Sequence, residues 1–96
     1  MAEKKAEKKE SSEVFIGKKA FMNYVTGVVM QFNSGAKEVS IKARGKYISR
    51  AVDVAEVVRN RFIKEAKIKA VNIGSEQFES NGKQVMVSTI EIVLAK

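Results

Sequence analysis

The chain has 96 residues, 45% hydrophobic and 30% charged, with 18 Lys/Arg against 11 Asp/Glu and a formal net charge of +7. That length is one domain with a modest core. It has no Cys and no His, which excludes a disulfide framework, a thiolate site, the usual general base and the commonest transition-metal ligand. No apolar run approaches the length of a membrane span, and the charged N-terminal stretch lacks the apolar centre of a secretory signal.

The first ten residues hold four Lys and three Glu, so 14 Lys/Arg against 8 Asp/Glu fall in the remaining 86. The excess positive charge therefore belongs to the expected folded part. Residues 1–12 are Lys, Glu, Ala and Ser after Met1. With nothing to bury, they are expected to form a disordered charged tail, and residues 13–96 a single domain.

Glu13–Gly17 reads as a short buried strand. After Lys18-Lys19, Phe21, Val25, Val28, Val29 and Phe32 recur at helical spacing up to Asn33-Ser34-Gly35, where Gly35 suits a left-handed cap. Glu38–Ala43 alternates, with Val39 and Ile41 inward and Ser40 and Lys42 outward. Gly45 breaks the chain. Tyr47–Phe62 returns to helical spacing, with Ile48, Val52, Ala55 and Phe62 in one stripe and Ala51, Val54 and Val58 beside it. Lys67–Phe78 alternates loosely, Ser80-Asn81-Gly82-Lys83 signals a tight hairpin, and Val85–Leu94 is apolar on both faces, as a central strand would be. The expected order is β-α-β-α-β-β, a two-layer α/β (α+β) fold with two helices on a mixed four-stranded sheet.

Two strand-to-helix corners carry adjacent cations: Gly17-Lys18-Lys19, and Lys42, Arg44 and Lys46 around Gly45. If the first two strands are parallel, a right-handed crossover puts both corners on one sheet edge, with two helix N-termini. Arg50, one turn further on, extends the patch. Each piece alone reads as solvated surface. Their convergence favours a polyanion, with nucleic acid the leading candidate. No groove-reading helix carries a cluster of Asn, Gln and Arg, so phosphate contacts with weak sequence preference are expected. Lys83 at the hairpin tip, Tyr47 beside the loop and Phe62 at the helix end each fit contact roles, and also the plainer roles of solubility or packing.

An enzyme would need Asp53, Glu56 and Glu91 or a metal, and these carboxylates read better as ion-paired surface residues. No cofactor or metal is expected. A pure scaffold built on the wide apolar helix face is a further alternative.

Several blocks resemble the archaeal chromatin protein family Alba: Ile16-Gly17-Lys18-Lys19, Met22-Asn23-Tyr24-Val25, Ile41–Gly45, Ile48–Asp53, Val57–Phe62 and Ser88–Ile92. The resemblance runs from about Val14 to the C-terminus. It implies a fold similar to the C-terminal domain of a bacterial translation initiation factor. It also implies a homodimer, in the cytoplasm and associated with the chromosome, that coats double-stranded DNA and often binds RNA. Lys18 and Lys19 would lie on the central surface, and Lys42, Arg44 and Lys46 would add to it. Acetylation of Lys18 or Lys19 would weaken binding. The hairpins would reach toward the minor groove with Lys83 near each tip, and Phe62 would lie between dimers on DNA. A role in RNA folding, stability or processing is the alternative. Ala20 stands where a Pro is common in the family, and Tyr47 where a small residue is common.

Overall fold

The computed structural model describes residues 11–96. In chain order the elements are β1 (Ser11–Phe15), α1 (Phe21–Asn33), β2 (Glu38–Arg44), α2 (Ile48–Val57), β3 (Lys67–Ser80) and β4 (Lys83–Ala95). A 3₁₀ turn, Gly45–Tyr47, leads into α2, and a π-helical turn, Val58–Phe62, follows it. The sheet order is β1-β2-β4-β3, with β1 parallel to β2 and the other pairings antiparallel. This is the two-layer, mixed four-stranded fold expected from the pattern.

β1 begins two residues before the expected Glu13. Its register pairs Ser11 with Glu38 and Ser12 with Val39, and the Ser12 hydroxyl donates to Gln31 Oε1 of α1 at 2.8 Å. Backbone pairing needs no apolar side chain, so composition alone missed these two positions. The rest of the expected tail lies outside the described residues. β1 is also less buried than expected. It is an edge strand, and its Phe15 is 66% exposed.

Val25, Val28 and Phe32 of α1 are buried against Val39 and Ile41 of β2 and Ile92 and Leu94 of β4. The spacing of three and four residues in the helix meets the two-residue period of the strands. α1 ends in a Schellman motif. Ala36 N–H donates to Gln31 O, Gly35 N–H donates to Phe32 O, and Gly35 has φ +110°.

α2 buries Ala51, Val54 and Ala55, and Val58 continues that face. Of the expected stripe Ile48, Val52, Ala55 and Phe62, Ala55 is buried and Ile48 packs against the core, but Val52 is exposed and Phe62 is 50% exposed. The π turn explains Phe62. Ile63 N–H donates to Val58 O, so the chain takes an extra residue in that turn. Ile63 then occupies the core position that Phe62 would hold in an uninterrupted α-helix.

β3 and β4 are joined by Asn81-Gly82, with φ of 51° and 77° and Ser80 opposite Lys83. Positive φ at both central residues matches the right-handed twist of the strands. Burial on β4 begins only at Ile90. The hairpin from the Ser75–Ser88 pair to its tip, about 17 Å at the usual rise per residue, thus projects beyond the helical layer. β4 is central, as its two apolar faces implied.

Candidate nucleic-acid interface

The first corner is fixed by three hydrogen bonds. Ile16 N–H donates to Lys42 O at 2.8 Å, continuing the β1–β2 pairing up to Gly17. Lys19 N–H donates to the Tyr24 hydroxyl at 3.0 Å. Arg50 Nη1 donates to Lys19 O at 2.7 Å. The backbone of this corner is therefore held in place while the side chains of Lys18 and Lys19 remain exposed. Ala20, the residue before α1, gives no side-chain cap, so the helix start beside the Lys pair keeps uncapped amides and a partial positive charge.

The expected basic residues are distributed over two adjoining hollows. Lys18, Lys46 and Arg50 surround one of about 550 Å³, with Tyr47, Ser49 and Asp53 in its wall. Lys42, Arg44 and Lys46 border the other, about 900 Å³, on the sheet face away from the helices. Lys46 lines both and joins them. Lys83 sits apart, exposed at the hairpin tip.

Among the described residues, the two sheet cations have carboxylate partners. Lys42 Nζ lies 2.9 Å from Glu13 Oε2 and 5.8 Å from the centre of the Phe15 ring. The hydrogen bond to Glu13 raises the Lys42 pKa against the opposing effect of desolvation. Arg44 Nη1 lies 2.8 Å from Glu76 Oε1 on β3. Lys46 Nζ lies 5.5 Å from the centre of the Tyr47 ring, and that ring packs half-buried against the core.

Tyr24, which organises the first corner, was not singled out from the sequence by role. A hydroxyl one helical turn beyond a Lys-Lys corner is the only signal it gives. Neither were Glu13 and Glu76, whose partners are 29 and 32 residues away. The carboxylates considered for catalysis are dispersed. Glu56 accepts from Arg59 and Asn60 on its own helical segment, Glu91 accepts from Asn72 on the sheet, and Asp53 lies by the corner hollow. Among the described residues, no group of three or more His, Cys, Asp or Glu is placed to hold a metal ion.

Comparison with known proteins identifies the family and agrees with the fold. The family model Alba matches residues 12–77. DNA/RNA-binding protein Alba 1 of Archaeoglobus fulgidus is 58% identical over 85 residues, which are 88% of this chain and 96% of that protein. DNA/RNA-binding protein Alba of Methanothrix thermoacetophila is 55% identical over 87 residues, 91% of this chain and 98% of that one. These relatives are named as binding proteins and not as enzymes. The solved structure of Alba from Thermoplasma volcanium superposes with a TM-score of 0.83 at 48% identity, covering 88% of this chain and 99% of that one. ALBA1 from Trypanosoma brucei superposes with a TM-score of 0.68 at 26% identity, covering 88% and 68% respectively. By the match to the family model, the identity to these relatives and the shared fold, the chain belongs to the Alba family.

Proposed function

We propose that this protein binds and coats double-stranded DNA with low sequence specificity, binds RNA as well, and organises the chromosome in the cytoplasm as a homodimer. The observation that carries this reading is the convergence of Lys18, Lys46 and Arg50 on one hollow beside the open start of α1. The names of its relatives, DNA/RNA-binding proteins, agree with it. Point charges and backbone donors together suit phosphate groups, which carry no base sequence. Lys83 on the projecting hairpin extends the reach of each protomer along the duplex.

Dimer formation is supported by the free edge of β3. Its Val71 and Ile73 lie opposite the buried Ile92 and Ile90, on the helix side of the sheet, yet Ile73 is 82% exposed. A long edge strand with an apolar ledge exposes a surface that a second copy would cover. Phe62, also exposed, is the candidate for contact between dimers on DNA. Acetylation at Lys18 or Lys19 would remove a charge and its donors from the corner and weaken binding.

The test is duplex binding across a salt series for wild type and Lys18→Ala/Lys19→Ala. Wild type should show a log–log slope of roughly −0.9 per phosphate neutralised, and the variant a shallower one. Equal, tight binding by both would move the site elsewhere.

A further inference from the structure

One surface near the proposed duplex site has a different character. In the sheet register, Phe15, Lys42, Glu91 and Asn72 stand opposite one another and form one row across all four strands. The next row is Arg44, Thr89 and Gly74. Gly74 has no side chain, which leaves the second row sunken. The resulting groove of about 900 Å³ has Phe15 on one wall and Tyr47 on another. Each ring has a Lys ammonium within 6 Å of its centre. Phe15 itself is 66% exposed, so the fold gains little from an apolar ring at this position.

We propose that this groove binds a single-stranded segment of RNA, with one base stacked on Phe15 and neighbouring phosphates at Lys42, Arg44 and Lys46. The proposal rests on the nucleic-acid reading above and assigns a separate site within it. An exposed ring accepts the face of any unpaired base. It offers little to a duplex, whose bases are already stacked on each other and present only their edges.

The charge of the groove points the same way. Its three cations are matched by Glu13, Glu76 and Glu91 on the same face. A nearly neutral groove is a poor site for a duplex, whose affinity comes mainly from phosphate neutralisation. A single strand held by stacking depends less on that neutralisation. On entry its phosphates would replace Glu13 and Glu76 as partners of Lys42 and Arg44. The Thr89 hydroxyl and the Asn72 amide lie along the groove, within a surface suited to the ribose 2′-hydroxyl that RNA has and DNA lacks.

The experiment measures anisotropy of labelled eight-nucleotide oligouridylate, the corresponding thymidine DNA strand and a mixed-sequence DNA duplex. The proteins are wild type, Phe15→Ala, Phe15→Leu and Lys18→Ala/Lys19→Ala, each checked by thermal melting. Phe15→Ala and Phe15→Leu should both weaken RNA binding by about 5- to 100-fold, since stacking requires the ring. Both should bind the duplex within about two-fold of wild type, and the Lys double variant should show the opposite pattern. Unchanged RNA affinity in Phe15→Ala overturns the site. Equal Phe15 dependence for the DNA strand overturns the assignment to RNA. Duplex binding lost only in the Lys variant, without any Phe15 effect, leaves the duplex reading standing and rejects the groove. Failure of wild type to bind any of the three rejects both.

Discussion

Arg50, in the first turn of α2, donates a 2.7 Å hydrogen bond to the carbonyl oxygen of Lys19, in the corner that precedes α1. One cation therefore serves as a charge in the basic hollow and as a tie between its two halves. Arg50→Ala should reduce the magnitude of the salt slope by about 0.9, one phosphate contact. It should also cost about 1 kcal/mol of stability through the lost hydrogen bond. Arg50→Lys should keep the slope while still losing stability. A slope unchanged in Arg50→Ala would show that the residue only braces the corner.

Glu13 and Glu76 compete with phosphate for Lys42 and Arg44. The Glu13→Gln/Glu76→Gln double variant should raise affinity for nucleic acid by about 3- to 10-fold at low salt, with the gain shrinking as salt screens it. Exposed ion pairs contribute little to folding, so stability should change by less than about 1 kcal/mol per pair. Binding titrations at two salt concentrations, with parallel urea unfolding, check both parts. Weaker binding by the variant would mean that the carboxylates position the cations rather than occupy them.

The Lys42–Glu13 pair also sets a pH dependence. Because the folded pKa of Lys42 is raised above the usual 10.5, its contribution to stability is complete below that usual value. It is lost as pH rises through the higher folded value. The stability difference between wild type and Lys42→Met should therefore be constant around neutral pH and shrink well above 10.5. Urea unfolding at a neutral and a strongly alkaline pH measures it. A difference that grows with alkalinity would contradict the sign.

Gly45 connects β2 to the 3₁₀ turn with φ +60°, and a methyl group there would stand 3.3 Å from Val87 Cγ2. Gly45→Ala combines a left-handed conformation with a tight contact, and should destabilise by about 1–2 kcal/mol. It should also displace Lys46, the residue shared by both hollows, and weaken duplex binding. Thermal melting and duplex titration together test it. Gly82, with φ +77° and nothing within 4 Å, provides the comparison: alanine there should strain the turn without crowding a neighbour.

Ile73→Glu places a charge on the exposed ledge of β3. Sedimentation equilibrium should show a dimer for wild type and a monomer for the variant, with weaker duplex binding in the monomer. A variant that remains dimeric would place the interface on another surface.

Periodicity made most of the fold legible. Val39 and Ile41 were correctly placed inward, the Asn81-Gly82 turn was identified, and β4 read as central, while the full strand order came from the structure. The misses came where register or backbone chemistry, rather than hydrophobicity, decides. The π turn after α2 moved Phe62 outward through a change of one residue per turn, for which its sequence has no marker. Edge position, not composition, left Phe15 exposed. In the candidate site, adjacency in sequence brought Lys18 together with Lys19, and parallel topology brought Lys46 and Arg50 to them. The carboxylates that hold Lys42 and Arg44 come from β1 and β3, and only the cross-strand register brings them into contact.

No residue of the outer half of the β3–β4 hairpin, from the Ser75–Ser88 pair to the tip, is buried. Substitutions in the domain body are screened first for whether the protein folds. Those near the hairpin tip escape that screen and are judged by contact with the target alone. This segment can therefore change quickly among related proteins, and alter what an otherwise constant body grips, without first compensating for lost stability.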